Sequence, residues 1–165
     1  MGQQNFRSIF AQRTRQELVL RFRGIDVNII DQWLAAGLDR DTLPALQIAP
    51  LALMAWASGS VSDVEAQRAI RAISDSELAG NAPATAKFRS WLQREPTDDL
   101  MPLWKELVLA DRSMLSREEW IDNGRLLVQH AYAIAMASGG EAQVGHVCEA
   151  EQRLLDRIRE VFTNG

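Results

Sequence analysis

The chain has 165 residues, of which 47% are hydrophobic, and a formal net charge of −4 at pH 7. This length and composition predict one compact domain that buries a core without disulfides or a structural metal. Cys148 is the single cysteine, so no disulfide forms within the chain and a reducing compartment is indicated. Neither a signal peptide nor a membrane-spanning run is recognisable, and we expect a soluble, cytoplasmic protein.

Charge is distributed unevenly along the chain. The first 24 residues carry five arginines and one glutamate, a net charge of +4, which leaves −8 for the remaining residues within the total of −4. Because an acidic body repels phosphates, nucleic-acid binding is excluded as a main function. The basic arm also contains the apolar residues Phe6, Phe10 and Leu20. It is either a helix that docks on the acidic body or a segment that touches an anionic membrane surface.

The first half of the chain predicts only helices. Residues 1–40 are expected to form accessory N-terminal helices, because the segment Gly37–Pro44 breaks the pattern before a core domain over residues 41–165. Pro50 is expected to open the helix that ends near Trp56, since proline is tolerated in the first helical turn. Two more amphipathic helices are indicated by apolar residues at Ala66, Ala69, Ile70 and Ile73, and at Phe88, Trp91 and Leu92.

The second half predicts three further helices. Thr97 is placed to cap the first of them, with Asp98 and Asp99 at the positive end of its dipole. Ser116 and Glu119 have the spacing of a capping box, which opens a long helix. Apolar stripes mark the three helices at Leu100, Leu103, Trp104 and Leu107, at Trp120, Gly124, Leu127, Ala131 and Ile134, and at Leu154, Leu155, Ile158, Val161 and Phe162. The chain is therefore predicted to be an all-α, single-domain bundle of about seven to eight helices.

One passage of the sequence occurs twice. Ala57–Gly59 followed by Val61–Glu65 returns as Ala137–Gly139 followed by Val147–Glu151. Each copy reads as the end of a helix, a glycine turn and an acid-bearing helix. Such self-similarity indicates an internal duplication, here a pseudo-twofold helix-turn-helix repeat.

The first copy also carries a family resemblance. Pro50-Leu51-Ala52-Leu53-Met54-Ala55-Trp56-Ala57-Ser58-Gly59, continuing to Glu65, resembles the opening signature of the TerB-like tellurite-resistance family. Trp91–Pro96, and Ala135–Gly140 with Glu151-Gln152, look like later landmarks of proteins related to that family. The resemblance covers residues 42–162. It implies a divergent bacterial member with an all-helical fold, similar to the helical domain of some membrane-anchored J-domain co-chaperones, and no known catalytic activity.

The acidic residues of the two turns are the candidate site. Relatives have been proposed to bind a divalent cation or a basic partner there, but Ser58 stands where the family has aspartate, which removes one hard oxygen ligand. The candidate metal ligands are Asp63, Glu65, Glu149 and Glu151, and the candidate partner-binding residues are these four and Glu141. The alternative is that Glu65 and Glu151 cap their own helices, while their remaining lone pairs face solvent.

The remaining residues that could carry chemistry give weaker signals. His146 and Cys148 are close in sequence but lack an orienting third group, so an exposed histidine and a half-buried cysteine are expected. His130 is expected to be exposed or bonded locally. The five tryptophans lie in or beside apolar stripes, which indicates either core packing or a groove for a ligand or partner. They are Trp33, Trp56, Trp91, Trp104 and Trp120.

Three function hypotheses follow from the sequence. The first is a non-enzymatic TerB-like stress-response module that binds a protein partner, basic or membrane-associated, at the inner face of a membrane. The second is a sensor that binds a divalent cation at the acidic turns, and the third is an enzyme with a pocket between helices. No cofactor motif is present, and the N-terminal helices pack either on their own chain or on a second copy in a homodimer.

Overall fold

The computed structural model describes residues 2–76, 78–137 and 146–164. Over these ranges the chain is all-α, as predicted, and contains eight α-helices and two short 3₁₀ helices. The α-helices are α1 (Gly2–Arg21), α2 (Val27–Ala35), α3 (Ala49–Trp56), α4 (Asp63–Ser74), α5 (Ala82–Gln93), α6 (Leu100–Asp111), α7 (Arg117–Ala135) and α8 (Glu149–Asn164). The 3₁₀ helices span Leu43–Ile48 and Arg112–Met114. None of the helices in the described ranges is both long and apolar enough to cross a membrane.

Side-chain caps fix where several helices begin. Ser62 and Ser116 each accept a hydrogen bond from the backbone N–H three residues later. The carboxylates of Glu65 and Glu119 in turn accept one from the backbone N–H of the N-cap serine. Both capping boxes match the sequence prediction. Thr97 was predicted to cap α6, and this prediction was wrong. The helix begins at Leu100, and its N-cap residue, Asp99, makes no side-chain hydrogen bond. Thr97 contributes its backbone carbonyl oxygen instead, which accepts a hydrogen bond from the N–H of Leu100 at 3.1 Å.

The centre of the fold is α3 together with the 3₁₀ helix before it. Six of the eight residues of α3 are buried, and α3 contacts α4, α5, α6, α7 and α8. A helix that is apolar on all sides is stable only when other helices surround it. The 3₁₀ helix adds the buried residues Leu43, Leu46 and Ile48 to the same core. Pro50 lies in the first turn of α3, as the sequence predicted.

The N-terminal helices α1 and α2 contribute buried residues to this core. Leu18 of α1, Trp33 of α2 and Leu38 after α2 are buried in one hydrophobic cluster that continues through to α8. The indole N–H of Trp33 donates to the carbonyl oxygen of Leu103 in α6, at 3.4 Å. Residues 1–40 therefore supply part of the central core of this chain.

The tryptophans confirm the core prediction in three cases. Trp33, Trp104 and Trp120 are at most 3% exposed, whereas Trp56 and Trp91 are half-buried. Their indole N–H groups tie helices together. Trp56 donates to the carbonyl oxygen of Trp91 at 2.8 Å, Trp104 donates to that of Gln47 at 3.1 Å, and Trp120 donates to that of Phe162 at 3.2 Å.

Candidate functional site

The two copies of the repeat place a glutamate in the same local geometry. Glu65 and Glu151 are each the third residue of their helix, α4 and α8. Oε2 of Glu65 accepts a hydrogen bond from the backbone N–H of Ser62, and Oε2 of Glu151 accepts one from that of Cys148, both at 2.7 Å. The capping role predicted for both glutamates is therefore confirmed.

The burial of these glutamates corrects a second expectation. Glu65 is 2% exposed and Glu151 is 0% exposed, and they are the buried charged residues of the described chain. The remaining lone pairs of both carboxylates were expected to face solvent. This expectation was wrong, because the neighbouring helices cover both side chains. In Glu65 the second oxygen, Oε1, is buried and has no hydrogen-bond partner among the described residues. A partner protein cannot reach either carboxylate without opening the fold.

The other predicted acids lie at the surface or outside the described ranges. Asp63 and Glu149 are the first residues of α4 and α8, and both are exposed. Glu149 Oε1 lies 3.6 Å from Nη2 of Arg153, one turn further along α8. Glu141 falls in residues 138–145, which lie outside the described residues.

The described residues do not assemble a metal centre. Within residues 2–76, 78–137 and 146–164, no three His, Cys, Asp or Glu side chains come close enough together to hold a metal ion. His146 is exposed and Cys148 is a half-buried free thiol, as the sequence predicted.

A polar pair that the sequence did not predict lies between α4 and α7. His130 of α7 was expected to be exposed or bonded locally, but its side chain is only 19% exposed and its partner is on another helix. Nε2 of His130 lies 3.3 Å from Oδ2 of Asp75, the C-cap residue directly after α4. The alignment is too poor for a hydrogen bond, and Nε2 is buried without a hydrogen-bond partner among the described residues. The imidazole therefore faces the carboxylate of Asp75 from a buried position.

This pair borders a cavity of about 180 Å³. Its walls are mainly apolar and come from α3, α4, α6, α7 and α8 and the 3₁₀ helix before α3. The apolar residues are Ile48, Leu51, Ala72, Val108, Leu115, Trp120, Leu126, Leu127 and Phe162. Its polar residues are Gln47, Asp75, Ser76, Asp111, Asn123 and His130. A mostly apolar cavity with a few converging polar groups is the usual form of a small-molecule site.

The surroundings of the cavity are electronegative. Asp75 and Asp111 contribute carboxylates, and they lie at the C-terminal ends of α4 and α6. The C-terminal end of a helix carries partial negative charge, which adds to that of the carboxylates. One positive group also lies close to a lining residue, since the guanidinium carbon of Arg112 is 5.2 Å from the ring centre of Trp120.

A larger open groove of about 1110 Å³ lies between α2, α5 and the start of α6. Nζ of Lys87 donates to the carbonyl oxygen of Ala36 at 3.2 Å and lies 5.9 Å from the ring centre of Trp91. Arg94 and Glu95 also line this groove. Its mixed charges indicate no particular class of ligand.

Comparison with known proteins adds no assignment, because no family model, no curated protein and no solved structure matches the chain significantly. The resemblance to the TerB-like family therefore stays a prediction. Asp75 and His130 lie 55 positions apart and on different helices, so no local motif in the sequence could have pointed to this pair.

Proposed function

We propose that the chain is a non-enzymatic TerB-like helical module that binds a protein partner through an acidic surface, in a stress response of the tellurite-resistance type. One observation carries the proposal. In both copies of the repeat a buried glutamate completes the cap, so the carboxylates of Asp63 and Glu149 are not needed for capping and lie exposed at the first helical position. These two residues are the centre of the proposed surface.

Charge supports a basic partner. Residues 25–165 carry a net charge of −8, and a field of one sign speeds up the encounter with an oppositely charged protein and repels nucleic acid. The basic α1 supports a location at the inner face of a membrane in the cytoplasm. Ile9 and Leu20 of α1 are 53% and 64% exposed, beside an exposed Arg13. Apolar and cationic side chains together favour an anionic lipid surface.

The proposed surface can be tested with a cationic probe. A fluorescent peptide of alternating lysine and serine is titrated with the protein, and binding is followed by anisotropy at low and at physiological salt. The Asp63→Asn, Glu149→Gln double variant should weaken binding at low salt at least fivefold, because it removes both exposed carboxylates. The matched control is Asp98→Asn, Glu106→Gln, which changes the net charge equally at two other exposed acids. Equal losses in the two variants would leave only non-specific attraction and contradict the proposed surface.

The stress-response part of the proposal needs a cellular readout. Expression of the chain in a bacterial host should raise survival under tellurite, and the double variant at Asp63 and Glu149 should lose this gain at equal protein level. If the wild-type chain gives no protection while the purified protein still binds the basic peptide at these residues, then the interaction surface holds and the tellurite assignment fails.

Divalent-cation binding at the acidic turns is the alternative function. One observation favours it, namely the buried Oε1 of Glu65, which lacks a hydrogen-bond partner among the described residues. Thermal unfolding of the metal-stripped protein with calcium, magnesium, manganese and zinc separates the two proposals. A cation at a hundredfold excess over its dissociation constant stabilises the folded state by about 2.7 kcal/mol, which raises the midpoint measurably. A selective increase that Glu65→Gln and Glu151→Gln abolish would replace the interaction module by a metal sensor.

A further inference from the structure

The cavity bordered by Asp75 and His130 is separate from the exposed acids Asp63 and Glu149 at the helix starts. It lies at the opposite end of α4 from Asp63, since Asp63 is the first residue of the helix and Asp75 is its C-cap. Ligand binding in this cavity therefore does not depend on the proposed acidic surface.

The size of the cavity limits its ligand. A volume of about 180 Å³ is slightly larger than the engineered apolar cavity of about 150 Å³ that takes up benzene. It is well below the roughly 300–1,000 Å³ of sites for drug-sized ligands. The cavity therefore suits one ring or a short branched chain that carries a small polar group. The ring of Trp120 and the side chains of Leu51 and Leu127 give the apolar part a wall on several sides.

The polar groups at the cavity define the charge of that ligand. Asp75 Oδ2 lies 3.3 Å from His130 Nε2, and the Asp75 side chain is the more exposed of the two, so a donor group on a ligand can reach its carboxylate. Nε2 of His130 is buried and faces this carboxylate, so the imidazole forms the wall beside it while the carboxylate is the acceptor that a ligand can reach. Asp111 and the C-terminal ends of α4 and α6 also favour positive charge over negative charge at this place.

We propose that this cavity binds a small organic cation, an ammonium group carried on one apolar ring or short chain, with the ammonium held by the carboxylate of Asp75 beside the imidazole of His130. An ammonium group has three N–H donors and no acceptor, which matches the carboxylate of Asp75, a group that only accepts when ionised. Asp75, with its side chain 57% exposed, lies at the mouth, and the more buried His130 lies further in. The ring enters the apolar part while the ammonium stays at this pair.

Three probes that differ mainly in their polar group test the proposal. They are 2-phenylethylamine, 2-phenylethanol and 3-phenylpropionate, which are cationic, neutral and anionic. Each is titrated into the ¹⁵N-labelled full chain, and the indole N–H resonances of the tryptophans are followed by NMR. Trp120 lines the cavity, and Trp33 lies elsewhere in the core and serves as an internal reference. The amine should shift the Trp120 resonance in a saturable way, with an affinity at least tenfold above that of the alcohol and of the carboxylate.

Two variants assign the effect to the acid–histidine pair. Asp75→Asn should weaken amine binding at least tenfold, and His130→Leu at least fivefold. The matched control is Asp122→Asn, an exposed aspartate of α7 that pairs with Arg125 away from the cavity, which should stay within twofold of the wild type. Circular dichroism checks that each variant is folded. If one of the two variants at Asp75 and His130 does not fold, the other alone is sufficient for the test. An unmoved Trp120 resonance, equal binding of amine and alcohol, or equal effects of Asp75→Asn and Asp122→Asn would each overturn the proposal.

Discussion

The ring of Phe162 lies where a side chain of residue 124 would have to be. A Cβ atom built on Gly124 would be 2.5 Å from Cγ of Phe162 and 3.0 Å from its Cβ, which is closer than carbon atoms approach without displacement. The ring is also packed between two indoles, with centroid distances of 4.8 Å to Trp120 and 6.2 Å to Trp104. Gly124 is thus the residue that lets α8 approach α7 closely.

The first prediction concerns this contact. Gly124→Ala gains about 1 kcal/mol of helix propensity, but overpacking a core costs about 1–3 kcal/mol. Because Cβ of Phe162 is part of the clash, rotation of the ring alone does not relieve it, and we expect a net loss of up to about 2 kcal/mol in the free energy of unfolding. Urea unfolding measures the loss. The same change in a Phe162→Ala background, which lacks the clashing Cγ and Cδ1 atoms, should cost at least 0.5 kcal/mol less, roughly the threshold for coupled residues. Equal costs would show that the two residues do not compete for space.

The second prediction compares two capping boxes that differ in burial. Glu65 and Glu119 both accept from the N-cap backbone N–H at 2.7 Å, but Glu65 is buried while Glu119 is exposed. In Glu119→Ala water replaces the lost acceptor, and we expect a loss below about 1 kcal/mol. In Glu65→Ala the half-buried N–H of Ser62 is left without an acceptor, and we expect about 1–3 kcal/mol. Chemical denaturation of both variants gives the comparison, and equal losses would mean that removal of a poorly solvated carboxylate offsets the lost cap.

These caps illustrate what the sequence can predict. The spacing Ser62–Glu65 and Ser116–Glu119 is local, because a capping box forms within four residues whatever surrounds it. The apolar stripe of α7, which includes Trp120 and Leu127, is also local, since helical period alone brings those residues to one face. The all-α fold and the helix starts of α4 and α7 were predicted for this reason.

The rest of the site depends on contacts between distant segments. The burial of Glu151 follows from the packing of whole helices, which no four-residue pattern encodes. The Asp75–His130 pair joins two helices, and its cavity takes walls from five of them and from a 3₁₀ helix. The 3₁₀ helix Leu43–Ile48 was not predicted either, because six residues without a helical period give no signal, although four of them are buried.

The third prediction is a pH dependence at the turn between α2 and the core. Partial burial raises the pKa of Asp39, but hydrogen bonds outweigh it and hold the pKa below its ordinary value of 3.8. Oδ1 of Asp39 accepts from the hydroxyl of Thr42 at 2.7 Å and from the backbone N–H groups of Asp41 and Thr42 at 3.0 and 2.9 Å. A lowered pKa means that this carboxylate stabilises the fold above its unfolded-state pKa, and that the contribution is lost as the pH falls through the folded-state value.

Asp39→Ala should therefore destabilise the protein at pH 7, by about 1 kcal/mol as for one net hydrogen bond, and the deficit should shrink as the pH falls below 3.8. Urea titrations at neutral and acidic pH measure the difference. The control is Asp41→Ala, whose side chain is exposed and makes no hydrogen bond that the structure gives within the described residues. A deficit that stays constant with pH would show that the charge of Asp39 is unimportant.

The last prediction concerns the contribution of the N-terminal helix α1 to the free energy of unfolding. Leu18 and Leu20 are two residues apart on α1, but Leu18 is 1% exposed within the central core and Leu20 is 64% exposed. Leu18→Ala should lower the free energy of unfolding by about 2–5 kcal/mol, as in any well-packed core. Leu20→Ala should change it by less than about 0.5 kcal/mol, as is usual for surface residues. One cooperative transition should be seen in both variants, because α1 and α3 share a single core. If Leu18→Ala had as little effect as Leu20→Ala, α1 would be a detachable arm, free to bind a membrane or a second copy of the chain.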